Sequence, residues 1–209
     1  GICFALDMSI WNWSLSFTSV ANATLMANTA PVFVVIFGIL LLGYKIELSF
    51  IFTLILALGG VFLVVLPGEK SMVFGDSLGL VAAIFYAGYI LSIKDLTNFL
   101  KPARTLFLVT CVTTLCLLPI SLLETGGLNI NLSEFCILLA YAIFSQTIAQ
   151  GLITSGISKV SAHLSSLVLL MQPVAAAVYG WFLLEEILSP LQIFGGFIVL
   201  TAIYMASKE

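Results

Sequence analysis

Charged residues are scarce in this chain. Only 8% of its 209 residues are Asp, Glu, Lys or Arg, while 61% are hydrophobic. Soluble domains carry roughly 25% charged residues. The net charge of −3 excludes a basic surface for nucleic acid, so we predict no nucleic-acid partner. The mean hydropathy of +1.21, with apolar segments long enough to cross a bilayer recurring along the chain, predicts a polytopic helical membrane protein.

Groups for catalysis and metal binding are also few. The single histidine, His163, lies less than one turn from the start of an apolar segment, so we predict that it is interfacial. The cysteines at 3, 111, 116 and 136 lie in apolar runs without CxxC spacing, and we interpret them as free, packed thiols. A membrane-embedded enzyme needs paired acids, a His beside a nucleophile or metal-ligand spacing. We therefore predict no enzymatic activity, no cofactor and no metal.

Breakers and charged connectors divide the chain into eight apolar segments. We predict helices near 2–17, 20–42, 48–66, 76–93, 102–123, 131–157, 160–184 and from 190 onward. Pro67-Gly68 stops the third helix, and Asn131 with Glu134 predicts a capping box at the start of the sixth. No connector is long enough to hold a soluble domain.

Basic residues are distributed unevenly over the connectors. With eight spans, both termini and the connectors after the second, fourth and sixth helices lie on one side of the membrane. Six of the seven basic residues fall on that side: Lys45, Lys94, Lys101, Arg104, Lys159 and Lys208. Only Lys70 lies opposite. Because positive charge accumulates in cytoplasmic loops, we predict that both ends of this chain are cytoplasmic.

Two prolines deep in apolar segments, Pro31 and Pro173, mark an internal repeat. Shifting the chain by 142 positions without a gap superposes them. The same shift superposes further pairs: Ser16 on Ser158, Ser19 on Ser161 and Gly38 on Gly180. An odd number of helices separates the two copies, so we expect them to be inverted in the membrane. Such repeats indicate a transporter with its binding site at the repeat interface.

The shift also divides the chain into two parts. Residues 1–66 would be the last three helices of a first copy, and residues 75–207 the five helices of a second. The counterparts of the fourth and fifth helices then fall before residue 1. We expect about 67 preceding residues with two more helices, which would complete a 5+5 inverted repeat with ten spans.

The same residues resemble the EamA-type proteins of the drug/metabolite transporter superfamily. The resemblance begins with Ala5-Leu-Asp-Met-Ser-Ile-Trp-Asn-Trp and Thr18-Ser-Val-Ala-Asn-Ala-Thr-Leu, and recurs in Leu170-Met-Gln-Pro-Val-Ala-Ala-Ala-Val-Tyr-Gly-Trp. It covers nearly the whole chain, from the third to the tenth helix of the family pattern. It implies a ten-helix bacterial inner-membrane exporter of amino acids and other small metabolites.

Polar side chains at membrane depth are costly and tend to face a cavity or a partner. Gln146 and Gln150 are one turn apart, so we predict that they share a face of the sixth helix and line a cavity. Gln172 lies beside Pro173, and Asn28 lies close to Pro31. We predict that Gln172 hydrogen-bonds a substrate, and the alternative is a bridge to the first helix. The two prolines either free backbone carbonyls to accept from a solute or are packing kinks.

Asp7 is the sole acid well inside an apolar segment, with Trp11 one turn further on and Asn12 beside it. In one hypothesis Asp7 carries a coupling proton while Trp11 forms a wall of the cavity. In the other, Asp7 lies near the cytoplasmic mouth.

Together these residues predict a substrate site between the first, second, sixth and seventh helices. Its members are Asp7, Trp11, Asn12, Asn28, Gln146, Gln150 and Gln172. We expect it to bind a small polar or amphipathic metabolite and release it across the lipid bilayer. A channel, a membrane-embedded enzyme and a structural bundle stay as alternatives, and the oligomeric state stays open.

Overall fold

The computed structural model describes residues 1–65, 73–125, 131–183, 185 and 187–208, and these are almost entirely helical. Eleven α-helices and one π-helix occur in the described residues: α1 (Ile2–Ser14), α2 (Val20–Ala27), α3 (Ala30–Leu42), α4 (Leu48–Val65), α5 (Val73–Phe99), α6 (Pro102–Thr125), α7 (Leu132–Tyr141), the π-helix Ala142–Ala149, α8 (Gln150–Lys159), α9 (Ala162–Leu169), α10 (Met171–Leu183) and α11 (Pro190–Ala206). The predicted all-α class is confirmed. The predicted stop at Pro67-Gly68 and the outer charge of Lys70 lie outside the described residues.

Six segments of the described chain are long and apolar enough to cross a membrane. They are Val20–Leu42, Leu48–Val65, Val73–Phe99, Pro102–Leu122, Leu132–Lys159 and Ala162–Leu183. The other two predicted spans are shorter, with 13 residues in α1 and 17 in α11. At 1.5 Å per residue α1 is about 20 Å long, against a hydrocarbon core of about 30 Å. The count of eight spans therefore stays a prediction.

Each of the two prolines follows a break in a membrane-spanning segment. The second predicted helix divides into α2 and α3, and the seventh into α9 and α10. A proline cannot donate a backbone N–H, and its ring displaces the carbonyl four residues earlier. For Pro31 that carbonyl belongs to Ala27, the last residue of α2. For Pro173 it belongs to Leu169, the last residue of α9, so the same cause produces both breaks.

Helix boundaries repeat at the 142-residue shift. The bounds of α2 map onto those of α9 at both ends, and the first residue of α4 maps onto that of α11. The equivalent serines Ser19 and Ser161 are both N-caps, each accepting a hydrogen bond from the backbone N–H three residues ahead. The capping box predicted at Asn131 and Glu134 is also present.

The equivalent helices α4 and α11 pack against each other in opposite directions. Gly60 of α4 lies against Gly195 and Val199 of α11. One turn further along α4, the carbonyl of Val64 accepts a hydrogen bond of 3.2 Å from Gln192, which comes earlier in α11. Opposite directions for equivalent helices are what an inverted pair of copies requires.

Buried apolar residues form two clusters. The first surrounds the α4–α11 pair and includes Leu167, Leu170 and Val199. The second, which we call the inner apolar cluster, joins α1, α3, α5, α6, α8 and α9 through Phe4, Val34, Ala87, Tyr89, Ile90, Ile93, Val109, Ile157 and Ala162. The interpretation of all four cysteines as packed is wrong for two of them, since Cys111 and Cys136 are exposed. All four are free thiols.

One end of the bundle collects the basic connectors, and we call it the lysine-rich end. The Lys94 ammonium donates to the carbonyl of Ser158 at 3.2 Å. Lys45 lines a small cavity with His163 and Ala206, so the connector after α3 meets the start of α9 and the end of α11 there. The connectors that carry Lys45 and Lys94 therefore lie at the same end of the fold, as the sequence predicts. That this end is cytoplasmic stays a prediction.

Candidate functional site

A cavity of about 250 Å³ lies between α1, α2, α5, α8 and α10, and we call it the central cavity. It is lined by Phe4, Asp7, Met8, Trp11, Thr24, Ala27, Asn28, Tyr86, Gln150 and Gln172. Tyr86 is the midpoint of the 27-residue helix α5. At 1.5 Å per residue it is about 20 Å from each end of that helix, so the cavity lies halfway along a helix that is long enough to cross a membrane.

Five of the seven predicted site residues line this cavity. They are Asp7, Trp11, Asn28, Gln150 and Gln172. Both interrupted segments contribute: Asn28 is the C-cap of α2, and Gln172 is the second residue of α10. The two breaks therefore turn polar side chains toward one space, although the residues are far apart in the sequence.

Asn12 and Gln146 lie elsewhere. The Asn12 side chain is exposed, donates to the carbonyl of Met8 at 2.8 Å and borders a separate groove between α1 and α6. Gln146 lies in the π-helix and borders a second cavity between α6 and α8. The prediction that Gln146 and Gln150 line one cavity assumed an α-helix. The i→i+5 winding of a π-helix changes which side chains align one turn apart.

Asp7 is buried in the wall of the central cavity, with 4% of the residue exposed. Its helix runs antiparallel to α5, because Phe4 stacks on Tyr89 at 4.6 Å while Phe17 packs on Phe74, at the other end of α5. Asp7 therefore lies at the level of the middle of α5, well away from the lysine-rich end. Among the described residues that line the cavity, Asp7 is the only one with a formal charge.

The amides around Asp7 differ in how they are held. Asn28 donates its Nδ2 to the carbonyl of Thr24 at 2.8 Å, which directs its Oδ1 away from its own helix. The Tyr89 hydroxyl reaches Oε1 of Gln150 over a long 3.4 Å. Gln172 lies beside Tyr86. The cavity thus presents a carboxylate and amide groups to a solute within an otherwise apolar wall.

Tyr86 lines the cavity but is not among the residues predicted from the sequence. The prediction counted only acids and amides as polar groups at membrane depth. A phenol is also amphipathic, with an apolar ring and a hydroxyl that needs a partner. A tyrosine in the middle of a long apolar helix was therefore a usable signal.

The cavity is closed toward the lysine-rich end. Along α5, Tyr89, Ile90 and Ile93 of the inner apolar cluster lie between Tyr86 and Lys94, and all three are at most 2% exposed. In the other direction Met8 borders both the central cavity and the groove that contains Asn12. Met8 therefore lies between the central cavity and this groove, on the side away from the lysine-rich end.

Similarity to known proteins agrees with this architecture. The sequence matches the EamA-like transporter family over residues 2–66 and 73–208. The chain belongs to this family. It is 26% identical over 209 residues to the pseudopaline exporter of Pseudomonas aeruginosa. That alignment covers 100% of this chain and 73% of the exporter. It is 25% identical over 192 residues to an uncharacterized transporter of Archaeoglobus fulgidus, covering 92% of this chain and 68% of that protein.

This EamA-family chain also has the fold of a solved protein. One crystal structure superposes with a TM-score of 0.79 over 96% of this chain and 73% of the other, at 15% identity. At that identity the likeness concerns the fold alone. Family membership confirms the predicted resemblance and shows that the protein is an integral membrane transporter.

Proposed function

We propose that this EamA-family protein exports small polar or amphipathic metabolites, such as amino acids or related compounds, and that the central cavity is its substrate site. The observation that carries the proposal is the cavity itself. Halfway along a helix that is long enough to cross a membrane, it places Asp7 and three amides, Asn28, Gln150 and Gln172, in one apolar space. Polar groups at this depth are costly unless they meet a partner, and a solute can be that partner.

An inverted repeat supplies a transport mechanism for this site. Met8 and Gln150 are equivalent positions under the 142-residue shift, and both line the central cavity. A two-fold relation between the copies would therefore pass close to the site. The opposite directions of α4 and α11 support that relation. Inverted copies allow one half to rock against the other around a fixed site, so that access alternates between the two sides.

The closed side suggests which contacts must open during the cycle. The Phe4–Tyr89 stack and the inner apolar cluster separate the cavity from the lysine-rich end. If that end is cytoplasmic, the structure is closed to the cytoplasm and loading of substrate requires the two rings to separate. Release would follow through the groove that Met8 shares with the central cavity.

Export and membrane location rest on two further observations. The matched relative in Pseudomonas aeruginosa is named an exporter. The basic connectors gather at one end of the bundle, which fits a cytoplasmic face in a bacterial inner membrane. Asp7 would carry a proton in exchange for substrate, since it is the charged residue of the cavity lining.

A resistance screen followed by a flux assay would test the proposal. Cells that express the full-length protein are challenged with toxic amino-acid analogues and related metabolites, and protected cases are repeated with purified protein in proteoliposomes. A carrier should show saturable uptake and counterflow, in which unlabelled substrate inside accelerates the entry of labelled substrate. Flux that neither saturates nor shows counterflow would indicate a channel. The absence of any protection or flux would contradict the proposed function.

A further inference from the structure

We propose that the substrate carries a positively charged ammonium group, which binds to Asp7 between aromatic faces of the central cavity. The inference rests on the proposed transport function and names its substrate class. Asp7 is 4% exposed, and among the described residues its carboxylate has no hydrogen-bond donor or basic partner. A buried charge without a counter-charge is costly, so a cationic ligand would satisfy a group that the fold leaves unpaired.

Aromatic rings complete the surroundings of a cation. Phe4, Trp11 and Tyr86 line the same cavity as Asp7. Trp11 lies one turn after Asp7 on α1, so both face the same space. An ammonium group is attracted to the faces of such rings, and the attraction is stronger in a site without water.

Two of these rings are held in place by stacking. Tyr89 stacks on Phe4 at 4.6 Å and on Tyr86 at 5.8 Å, with interplanar angles of 24° and 21°. Tyr89 itself is 2% exposed and anchored in the inner apolar cluster. The aromatic wall is therefore pre-arranged, which lowers the entropic cost of binding a ligand against it.

The end of α2 adds acceptors on the opposite wall. Ala27 ends α2 and lines the cavity, and Pro31 cannot donate an N–H to its carbonyl. Asn28, the next residue, has its Nδ2 engaged with Thr24, which leaves the oxygen Oδ1 as its free acceptor. The carboxyl end of a helix also carries partial negative charge. An ammonium with three N–H donors thus meets a carboxylate, an amide oxygen and a helix end.

The same features discriminate against other ligands. An anion would find an unpaired carboxylate and no lysine, arginine or histidine among the described lining residues. A neutral solute would bring no counter-charge, so Asp7 would have to bind a proton instead of the ligand. The cavity volume of about 250 Å³ leaves room for a small organic molecule. A compact amine with one aromatic or branched apolar part fits that space and the apolar wall.

A matched set of probes tests this class. Binding of 2-phenylethylammonium, 2-phenylethanol and 3-phenylpropanoate to the full-length protein in lipid nanodiscs is measured by calorimetry at pH 7. The three probes have similar size and differ in charge. We expect the ammonium probe to bind at least tenfold more tightly than the alcohol, and the anion to bind most weakly. Equal affinity of the ammonium and the alcohol, or no binding of the ammonium at 10 mM, would overturn the inference.

Two variants and a control assign the preference to the cavity. Asp7→Asn should abolish the preference for the ammonium while the alcohol still binds, and Trp11→Leu should weaken the ammonium several-fold more than the alcohol. Asp95→Asn removes an exposed acid near the lysine-rich end of α5 and should keep the preference unchanged. Persistence of the preference in both cavity variants would overturn the inference. Saturable counterflow of a metabolite that lacks an ammonium group would also overturn the inference about the substrate class. It would still support the proposed transport function.

Discussion

Gly60 and Gly195 bring the backbones of α4 and α11 into direct contact. A Cβ added to Gly60 would lie 2.8 Å from the carbonyl oxygen of Gly195, and one added to Gly195 would lie 2.6 Å from that of Gly60. Neither position has space for a side chain. In lipid, where burial of apolar surface gives little drive for helix association, such close backbone contact is a main source of packing energy.

The contact predicts that Gly60→Ala destabilises the protein. The new methyl group meets backbone and the side chain of Val199 at 2.8 Å, so the helices must move apart. Overpacking of this kind costs about 1–3 kcal/mol in the free energy of unfolding. Gly59→Ala is the control, because a Cβ there meets nothing within 4 Å. Thermal unfolding in detergent should show a lower Tm for Gly60→Ala alone, and equal Tm values would contradict the close contact.

The separation of Gln146 from Gln150 predicts different effects of two equivalent substitutions. Gln150→Ala removes an amide from the central cavity, whereas Gln146→Ala removes one from the cavity between α6 and α8. Loss of one hydrogen bond to the substrate costs about 1 kcal/mol, or about fivefold in affinity. The KM for export should therefore rise about fivefold in Gln150→Ala and stay near the wild-type value in Gln146→Ala, at equal protein levels. The reverse order would move the substrate site to the other cavity.

Coupling to protons predicts a pH dependence that resides in Asp7. Counterflow by the wild-type protein should change between pH 5 and pH 9, because Asp7 would be the proton carrier of the cavity. Asp7→Asn should give a flat profile, since an amide does not titrate in this range. His163→Gln tests the histidine of this chain, which packs against Phe50 at 4.8 Å at the lysine-rich end, outside the central cavity. If the His163 variant alone lost the dependence, Asp7 would not be the coupling residue.

The sequence was informative where one residue acts on its own backbone or where periodicity suffices. Pro31 and Pro173 determine the helix breaks through their missing N–H, and Ser19 and Ser161 mark the helix starts that follow them. Five of the seven predicted site residues line one cavity, and most of them stand out in the sequence as polar side chains within apolar segments. Gln146 borders a different cavity because the winding changes from α to π over Ala142–Ala149, and the spacing of residue types does not indicate that change.

The closure toward the lysine-rich end could not be predicted from the sequence either. Phe4 and Tyr89 are two of many aromatic residues in a chain with 12% aromatics, and the sequence does not indicate that they pair. Their stacking depends on how α1 crosses α5, where a Cβ added to Gly88 of α5 would lie 3.4 Å from Sγ of Cys3 in α1. Such distances arise from several helices together, and no single segment specifies them.

That closure predicts that the inner apolar cluster becomes accessible only during transport. In a variant whose four native cysteines are replaced, Ile93→Cys lies in the cluster at 0% exposure, and Ser16→Cys lies in the groove that leads away from it. A membrane-impermeant maleimide should label Ser16→Cys from outside without substrate. Ile93→Cys should react from the cytoplasmic side at least severalfold faster when an exported substrate is present, because the Phe4–Tyr89 stack must open to load it. Labelling of Ile93→Cys that is rapid without substrate, or unchanged by it, would show that these residues do not form a gate.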